Sequence, residues 1–372
     1  MQIIIREMQP GEEREVKKLF TRSLGIIDRF VFQTAFDEAR KSAGKQCGGT
    51  LVAESDGKIV GTVSMRIKVL KGKRTGFIDA LVSDKELRGR SIGKSLVDGS
   101  ILWLEEHGCE VIYATADRYN SPSWNMFIHR GFHLYELPAQ LRDYGLCFLR
   151  LWAVEFHFVG FGTFFLRRDK EKTKNFETRE AWHLLAALLG VSTAWWIQIL
   201  RGQGSLMLIP MVFMAVAISL LAHELSQRLV ASRLGLETTF KAWGSGILFS
   251  WLLALLGITF IAYGSTYVKQ LDWWYDPKKD KTGIIFAVGP VTSLLLGFAF
   301  KGISIIMVNN LLAVVATVGY ATNLIIVILN LIPVQSAGGF VWDGKKIFRW
   351  SKTVWIMLVI ATLILIILDL LL

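Results

Sequence analysis

The feature of this sequence that most constrains its fold is the uneven distribution of charged and apolar residues. Charged residues recur every few positions up to Tyr144, whereas from Trp182 to Leu372 they lie in short clusters between long apolar segments. An apolar helix of roughly 20 residues is long enough to cross a lipid bilayer. The hydrophobic content of 52% also exceeds that of a typical soluble enzyme. The sequence therefore predicts a soluble N-terminal domain joined to a membrane domain near residues 165–180.

The basic residues and the cysteines indicate the compartment of the N-terminal domain. The net charge is +11, and many basic residues flank apolar segments, as in the cluster from Arg167 to Lys174. Such clusters are typical of the cytoplasmic ends of membrane helices, so we interpret the charge as a topology signal and predict no nucleic-acid partner. Cys47, Cys109 and Cys147 lack the even number and close spacing of disulfide frameworks and zinc ribbons. We therefore predict an N-terminal domain in the reducing cytoplasm, attached to a lipid bilayer.

Residues 2–134 alternate between strand-like and helix-like patterns. Strands are indicated by β-branched and alternating apolar residues, and helices by apolar residues at helical spacing. The pattern predicts an α/β domain with a mixed sheet and flanking helices. The predicted strands are residues 2–6, 50–55, 58–68, 75–82 and 111–115, with another after Gly131-Phe132, and the predicted helices are residues 12–20, 29–43, 95–107 and 120–130.

A basic turn with small residues lies between the predicted strand at 75–82 and the predicted helix at 95–107. Its sequence from Arg88 to Gly93 is Arg-Gly-Arg-Ser-Ile-Gly. The free backbone N–H groups and the dipole at a helix N terminus bind anions such as pyrophosphate. A strand-to-helix turn without any ligand fits the same residues equally well.

The turn and the order of the surrounding elements resemble the GNAT acetyltransferases over about residues 2–140. In that family a strand precedes an Arg/Gln-x-x-Gly-x-Gly/Ala pyrophosphate loop and a helix, and a later helix ends in Gly-Phe. The resemblance implies a domain that binds acetyl-CoA and transfers the acetyl group to an amine. It implies that backbone amides of the loop hold the pyrophosphate and that Asn120 contacts the pantetheine or positions the cofactor. The implied loop residues are Leu87, Arg88, Gly89, Arg90, Ser91, Ile92, Gly93 and Lys94.

Two residues depart from the GNAT pattern. Ser91 replaces the first loop glycine, and its side chain allows a less close approach of the backbone to a ligand. Phe127 stands where many members place the tyrosine that protonates the leaving thiolate. The general acid therefore has no obvious candidate, although proximity and a base alone supply much of the acceleration in acyl transfer.

The candidate general base is Asp79, on the strand before the loop. A carboxylate there could take a proton from an acceptor ammonium, directly or through water. The alternative interpretation is a solvated strand residue. We interpret His129 and His133 as surface or packing residues.

The C-terminal half predicts an all-α polytopic membrane domain. Basic clusters at 167–174, 228–241, 269–281 and 345–352 all fit the cytoplasmic side only if residues 245–267 enter the membrane and return. We therefore predict one re-entrant segment and five full crossings. The six apolar segments are residues 182–200, 205–222, 245–267, 283–300, 303 or 311 to 332, and 353–372.

Two polar clusters interrupt the apolar segments. The first is His223-Glu224-Leu225-Ser226-Gln227, and the second contains Asn323, Asn330, Pro333 and Asp343-Gly344. Ionisable residues in a membrane helix are costly and usually functional. Together with Gly289-Pro290, these clusters resemble the site-2 proteases, which are intramembrane zinc metalloproteases, over about residues 180–352. The resemblance implies zinc bound by His223, by the residue at Gln227 and by Asp343, with Glu224 activating the metal-bound water.

Three features depart from the site-2 protease pattern. Gln227 replaces a histidine ligand, Ser293 stands where asparagine is common, and residues 335–341 lengthen the approach to Asp343. A neutral amide is a poor zinc ligand, so the predicted site binds zinc weakly or not at all. His183 is a remote candidate for a replacement ligand, and an interfacial position is the alternative.

The junction is rich in aromatic and basic residues. Residues 146–166 contain seven tryptophan and phenylalanine residues and lead into Arg167-Arg168. This composition fits a segment at the membrane surface that docks the soluble domain on the bilayer. The alternative is a final strand of the soluble sheet, and both could hold in sequence, with the strand first. We place the GNAT-like domain at 1–145, the linker at 146–180 and the membrane domain at 181–372.

Three functions remain open from the sequence. The leading hypothesis is a membrane-anchored N-acetyltransferase, because the cofactor loop is retained while the protease-like domain lacks a metal ligand. The second is an intramembrane protease that cleaves transmembrane proteins and whose GNAT-like domain senses acetyl-CoA. The third is a membrane receptor without enzymatic activity.

Overall fold

The computed structural model forms two compact units, each with its own core. One unit holds most of residues 1–177 and the other most of residues 178–372. Arg88 of the predicted loop, residues 171–178 of the junction and the approach segment 335–341 lie outside the described residues. The described residues are 3–43, 47–87, 89–118, 120–155, 157, 160, 162–170, 179–269, 279–307, 311–333 and 342–371.

The first unit is a mixed sheet with flanking helices, which confirms the predicted fold class. Its sheet order is β1-β2-β3-β4-β6-β8-β7, with the short β5 paired to β3. The strands are β1 (Ile4–Glu7), β2 (Gly48–Ser55), β3 (Lys58–Leu70), β4 (Lys73–Ile78), β5 (Val82–Ser83), β6 (Val111–Asp117), β7 (His133–Leu134) and β8 (Thr163–Asp169). The helices are α1 (Glu13–Ser23), α2 (Ile26–Ala43), α3 (Ile92–Glu106), α4 (Ser121–Ile128), α5 (Leu137–Tyr144) and α6 (Phe148–Val154).

The two faces of this sheet belong to different hydrophobic clusters. Leu51 and Ala53 of β2 pack in the cluster that contains α3 residues, whereas Val52 between them packs in the cluster that contains α1 residues. This alternation follows from the two-residue repeat of a strand. Gly61 of β3 permits close packing of α3, because a Cβ there would lie 2.7 Å from a methyl group of Ile92.

The strand β8 lies in the sheet between β6 and β7. The sequence left a strand or a membrane-surface segment open for this region. Residues 163–169 form a strand of the sheet. Arg167 and Arg168 of the predicted basic linker belong to this strand. The sheet thus extends beyond residue 145, the predicted end of the domain. Local composition does not predict this, because the pairing of β8 with β6 and β7 depends on long-range hydrogen bonds.

The described residues of the second unit form helices and one two-stranded sheet. Among the described residues, five helices are long and apolar enough to cross a membrane, in agreement with the five predicted crossings. The helices are α7 (Glu180–Arg201), α8 (Ile209–Arg233), α9 (Gly244–Leu255), α10 (Lys279–Ile306), α11 (Leu311–Leu331), α12 (Asp343–Trp350) and α13 (Lys352–Leu371), and the strands are β9 (Thr238–Ala242) and β10 (Gly264–Val268).

The segment predicted to be re-entrant contains the short helix α9. The helix α9 has 12 residues, which gives a length of about 18 Å at the helical rise and is too short for a bilayer core of about 30 Å. The strands β9 and β10 on either side of it pair antiparallel, with Gly264 opposite Ala242. The chain therefore leaves β9, passes through α9 and enters β10 at the same end of this two-stranded sheet.

Candidate functional site

The predicted anion-binding turn lies at the N terminus of α3. Ser91 is the residue before this helix and has φ 61° and ψ 11°, the left-handed conformation that glycine favours. Gly89 also has a positive φ, of 80°. These two conformations reverse the chain before α3, so that the turn adjoins the first, unpaired N–H groups of the helix.

The turn adjoins a split in the sheet. The parallel pairing of β4 with β6 extends from Thr75 and Val111 to Ile78 and Ala114. Beyond this point β6 continues to Asp117 beside β8, while β5 pairs with β3. The two parallel strands therefore separate at their carboxyl ends, where α/β folds commonly bind ligands.

A second helix N terminus follows the other strand of the split. Asn120 comes shortly after β6 and caps α4, its Oδ1 accepting a hydrogen bond of 3.3 Å from the Ser123 backbone N–H. Phe127 of the same helix is 3% exposed and packs edge-to-face on Phe132, with ring centroids 5.1 Å apart. Phe127 is thus a core residue, and Asn120 is the cap of α4.

The candidate base Asp79 lies directly after β4 and forms a buried ion pair. Its two carboxylate oxygens accept hydrogen bonds of 2.6 and 2.9 Å from Arg66 of β3. Arg66 also donates a bond of 2.8 Å to Glu38 of α2. The side chains of Arg66 and Asp79 are 4% and 5% exposed, whereas that of Glu38 is 40% exposed. Asp79 is therefore not the solvated strand residue of the alternative interpretation.

Sequence reasoning missed Arg66 and Glu38. The available signal was a single arginine within the largely apolar strand β3, which requires a buried carboxylate partner when it faces the interior. The identity of that partner depends on sheet pairing and on the position of α2. Neither follows from local sequence.

The two histidines near α4 and β7 have different environments. His129 is exposed, and its Nδ1 lies 2.7 Å from the Asn125 carbonyl oxygen. His133 is partly buried in β7, where burial lowers the pKa of its imidazole. Below about pH 6.5 the unfolded chain therefore takes up a proton at His133 more readily than the folded chain does. This residue makes the first unit less stable as the pH falls.

In the second unit, three predicted metal-site residues lie together. His223 and Gln227 are one turn apart on α8, and Asp343 begins α12. The Gln227 Nε2 atom is 3.0 Å from Asp343 Oδ2 and 3.3 Å from His223 Nε2. The His223 Nδ1 atom is 2.9 Å from Ser293 Oγ of α10. These contacts link three helices through buried polar atoms.

A lysine that the sequence analysis did not single out completes this group. The Lys346 ammonium of α12 donates a hydrogen bond of 2.8 Å to Asp343 Oδ1 and lies 3.6 Å from the centre of the Phe286 ring. The side chains of Lys346 and Asp343 are 1% and 4% exposed. Their three-residue spacing on one helix was the signal in the sequence, because residues at this spacing are neighbours on the helix surface.

Among the described residues, Glu224 accepts side-chain hydrogen bonds from the segment between α9 and the end of β10. Its carboxylate accepts bonds from the Tyr263 hydroxyl, at 2.9 Å, and from the Thr266 hydroxyl. Tyr263 and Thr266 are buried in the segment that returns from α9. This predicted catalytic residue therefore helps to fix β10 against α8.

Known proteins with similar sequences include acetyltransferases and a metalloprotease relative. The model of the acetyltransferase (GNAT) family matches residues 15–132. The protein named "Putative zinc metalloprotease MJ0611" of Methanocaldococcus jannaschii is 31% identical over 143 residues, which are 38% of this chain and 70% of that protein. The chain belongs to the same family as this metalloprotease relative. It also carries a GNAT domain.

Solved structures of GNAT proteins are similar to this chain at low identity. An acetyltransferase from Staphylococcus aureus Mu50 is 17% identical, with a TM-score of 0.35, over 46% of this chain and 100% of that one. The PaiA N-acetyltransferase of Thermoplasma acidophilum, in complex with coenzyme A, is 14% identical, with a TM-score of 0.33. The similarity covers 45% of this chain and 99% of the PaiA chain.

Membership of the metalloprotease family implies zinc, but the residues at this centre do not fit the ion. The described residues contain no group of three His, Cys, Asp or Glu side chains that could hold a metal. The candidate ligands are one imidazole, one carboxylate and one amide, and the amide nitrogen of Gln227 faces the other two. The carboxylate is already paired with the Lys346 ammonium. A zinc site needs stronger donors without a competing cation.

Proposed function

We propose that this protein is a membrane-anchored N-acetyltransferase whose GNAT domain lies in the cytoplasm. The observation that carries the proposal is the split between β4 and β6 beside the N terminus of α3. The GNAT family match and the five apolar helices support an acetyltransferase domain held at a membrane.

The proposed cofactor site uses the backbone more than the side chains. The pyrophosphate of acetyl-CoA would accept hydrogen bonds from N–H groups between Leu87 and Lys94, at the positive end of the α3 dipole. The pantetheine carries amides. These would form hydrogen bonds with the backbone N–H and C=O groups of β4 and β6 where the two strands no longer pair with each other. The acetyl group would then enter the split near Asp79 and Asn120.

The proposed reaction is direct acyl transfer. A neutral amine attacks the thioester carbonyl carbon, a C–N bond forms, the C–S bond breaks and coenzyme A leaves as a thiolate. The ammonium form of the acceptor must first lose one proton, and the attacking nitrogen loses a second as the amide forms. The thiolate gains one proton after departure, so that one proton is released overall. Holding both reactants together supplies much of the acceleration.

Asp79 is the proposed proton acceptor, working from its ion pair with Arg66. Both of its oxygens accept hydrogen bonds from the guanidinium, so an incoming proton competes with Arg66. Glu38, the second carboxylate on Arg66, is more exposed. These two acids would draw a positively charged amine towards the split.

A negatively charged side chain introduced at position 93 tests the cofactor site. A Cβ at this position would lie 3.6 Å from the Met126 sulfur, an ordinary contact, so Gly93→Ala is a matched control. We expect Gly93→Asp to reduce acetyl-CoA affinity at least tenfold, because a carboxylate would face the pyrophosphate, and Gly93→Ala to stay within about threefold of wild type. Isothermal titration of the full chain in detergent measures both, and equal affinities for the two variants would refute the site.

Replacement of Asp79 tests the chemistry. We expect Asp79→Asn to lower kcat by about 10² to 10⁴ in a coenzyme A release assay with a panel of primary amines. Glu38→Gln is the comparison, since it removes a carboxylate from Arg66 but leaves the Arg66–Asp79 pair. It should raise the KM for the amine rather than lower kcat. If both variants lose activity equally and keep the wild-type pH profile, Asp79 is a structural residue.

A second candidate function is intramembrane proteolysis regulated by acetyl-CoA. It is supported by the metalloprotease relative and by the proximity of His223 to Gln227 and of Gln227 to Asp343. Cleavage of a transmembrane reporter by wild type, and none by Glu224→Gln, would place this function first.

A further inference from the structure

We propose that the polar centre of the membrane unit is metal-free by construction, with the Lys346 ammonium supplying the positive charge that Asp343 requires and the Gln227 amide joining His223 to Asp343. The proposal is independent of acetyl transfer. It concerns the charges, the hydrogen bonds and the space around α8, α10 and α12.

The charges balance within the protein. Lys346 and Asp343 are both almost fully buried and are in direct contact at 2.8 Å. A buried ion is costly unless it is paired, and removal of either partner leaves the other uncompensated. A dication on Asp343 would take the counter-ion of Lys346 and place two further positive charges beside the ammonium. The Phe286 ring, 3.6 Å from the ammonium, provides additional stabilisation of the lysine in this position.

The hydrogen bonds form one consistent set without an ion. Asp343 accepts from the Gln227 amide, so the atom of Gln227 that faces it is the nitrogen. The second hydrogen of that nitrogen faces His223 Nε2, which must then be an acceptor. His223 is therefore neutral, with its hydrogen on Nδ1 directed at Ser293 Oγ. The lone pair of His223 that would bind a metal is already in use.

The helix α10 closes the space over these atoms. A Cβ at Gly289 would lie 2.5 Å from Gln227 Nε2 and 2.6 Å from His223 Nε2. The backbone of α10 thus lies directly against the two side chains. Glycine permits this approach, and the amide and imidazole occupy the volume between the helices.

This arrangement gives the centre a structural role. It fastens α8 to α10 through His223 and Ser293, and α8 to α12 through Gln227 and Asp343. Glu224 is engaged with Tyr263 and Thr266, so it also contributes to fixing the unit. The membrane unit is then an anchor that retains the protease-like framework without its metal.

Two measurements on the full chain in detergent test the proposal together. They are the zinc content and a double-mutant cycle on Asp343 and Lys346, called the charge cycle below. We expect wild type to hold no zinc after dialysis against zinc and then buffer, and its melting temperature to be unchanged by a chelator. Asp343→Asn and Lys346→Met should each lower the melting temperature clearly, and the double variant should recover most of the loss, because it removes both charges. Lys345→Met, the adjacent and less buried lysine, is the matched control and should change little.

Restoration of the histidine provides a second measurement. We expect Gln227→His alone to remain without zinc and Gln227→His with Lys346→Leu to take up near-stoichiometric zinc. Zinc in wild type that is lost in Asp343→Ala would overturn the proposal, as would full zinc binding by Gln227→His alone. If neither histidine variant binds zinc, the charge cycle decides: recovery in the double variant supports the pair, and additive losses refute it.

Discussion

At the scale of the residue, Ser91 shows how a turn can override the preference of its side chain. The left-handed conformation costs a non-glycine residue about 1 kcal/mol, because Cβ approaches a backbone oxygen. Ser91 nevertheless has φ 61°, at the position where the GNAT pattern has glycine. The turn before α3 therefore holds Ser91 in a backbone conformation that glycine adopts at lower cost.

We expect Ser91→Gly to bind acetyl-CoA up to about threefold more tightly than wild type, because glycine removes this strain and allows closer approach of the ligand. The greater freedom of glycine in the unfolded chain offsets part of the gain in stability. Titration of acetyl-CoA into the full chain measures the effect, with Ser95→Gly in α3 as a control for the loss of a serine side chain. Weaker binding by Ser91→Gly would instead indicate that its hydroxyl contacts the cofactor.

At the scale of the element, the position of α10 is set by small residues rather than by charge. Gly289 permits contact with His223 and Gln227 of α8, and Gly319 of α11 permits contact with the Phe300 ring of α10, where a Cβ would lie 2.7 Å away. Small residues at helix contacts let backbones approach closely in membranes, where helices gain little from hydrophobic burial.

We expect Gly289→Ala to destabilise the membrane unit by roughly 1–3 kcal/mol, since the added methyl group overlaps two buried polar side chains. Gly302→Ala, in the same helix, has open space around the new Cβ and should be neutral or slightly stabilising. Thermal unfolding of the two variants in the same detergent compares them. Equal melting temperatures would show that α10 can move away from α8 at no cost.

At the scale of the whole molecule, the three cysteines all lie in the first unit but differ in exposure. All three cysteines are free, with Cys147 exposed and Cys109 buried. Burial raises the pKa of the Cys109 thiol to about 11. Since the thiolate is the reactive form, Cys109 should react slowly and Cys147 readily.

We expect a membrane-impermeant maleimide to label Cys147 in permeabilised cells or inside-out vesicles, and not in intact cells, because the GNAT domain is proposed to be cytoplasmic. Mass spectrometry of tryptic peptides measures the site of labelling, and Cys147→Ala is the control. Labelling of Cys147 in intact cells would place the first unit outside the cytoplasm and remove its access to acetyl-CoA.

The sequence by itself determined the features that depend on neighbouring residues. The five helices that are long enough to cross a membrane follow from the lengths of the apolar segments, since bilayer thickness sets the length of a crossing helix. The re-entrant segment stays a prediction from the basic clusters beside those segments. The α/β pattern and the turn before α3 follow from local periodicity and turn chemistry in the same way.

Only the tertiary structure decided the partners of the charged and polar side chains. Asp79 pairs with Arg66 across a sheet, β8 enters between β6 and β7, and Glu224 bonds to Tyr263 of the returning segment. Gln227 and Asp343 are 116 positions apart and still meet. Such partnerships depend on which elements pack together, and a buried charge takes the partner that packing brings within reach.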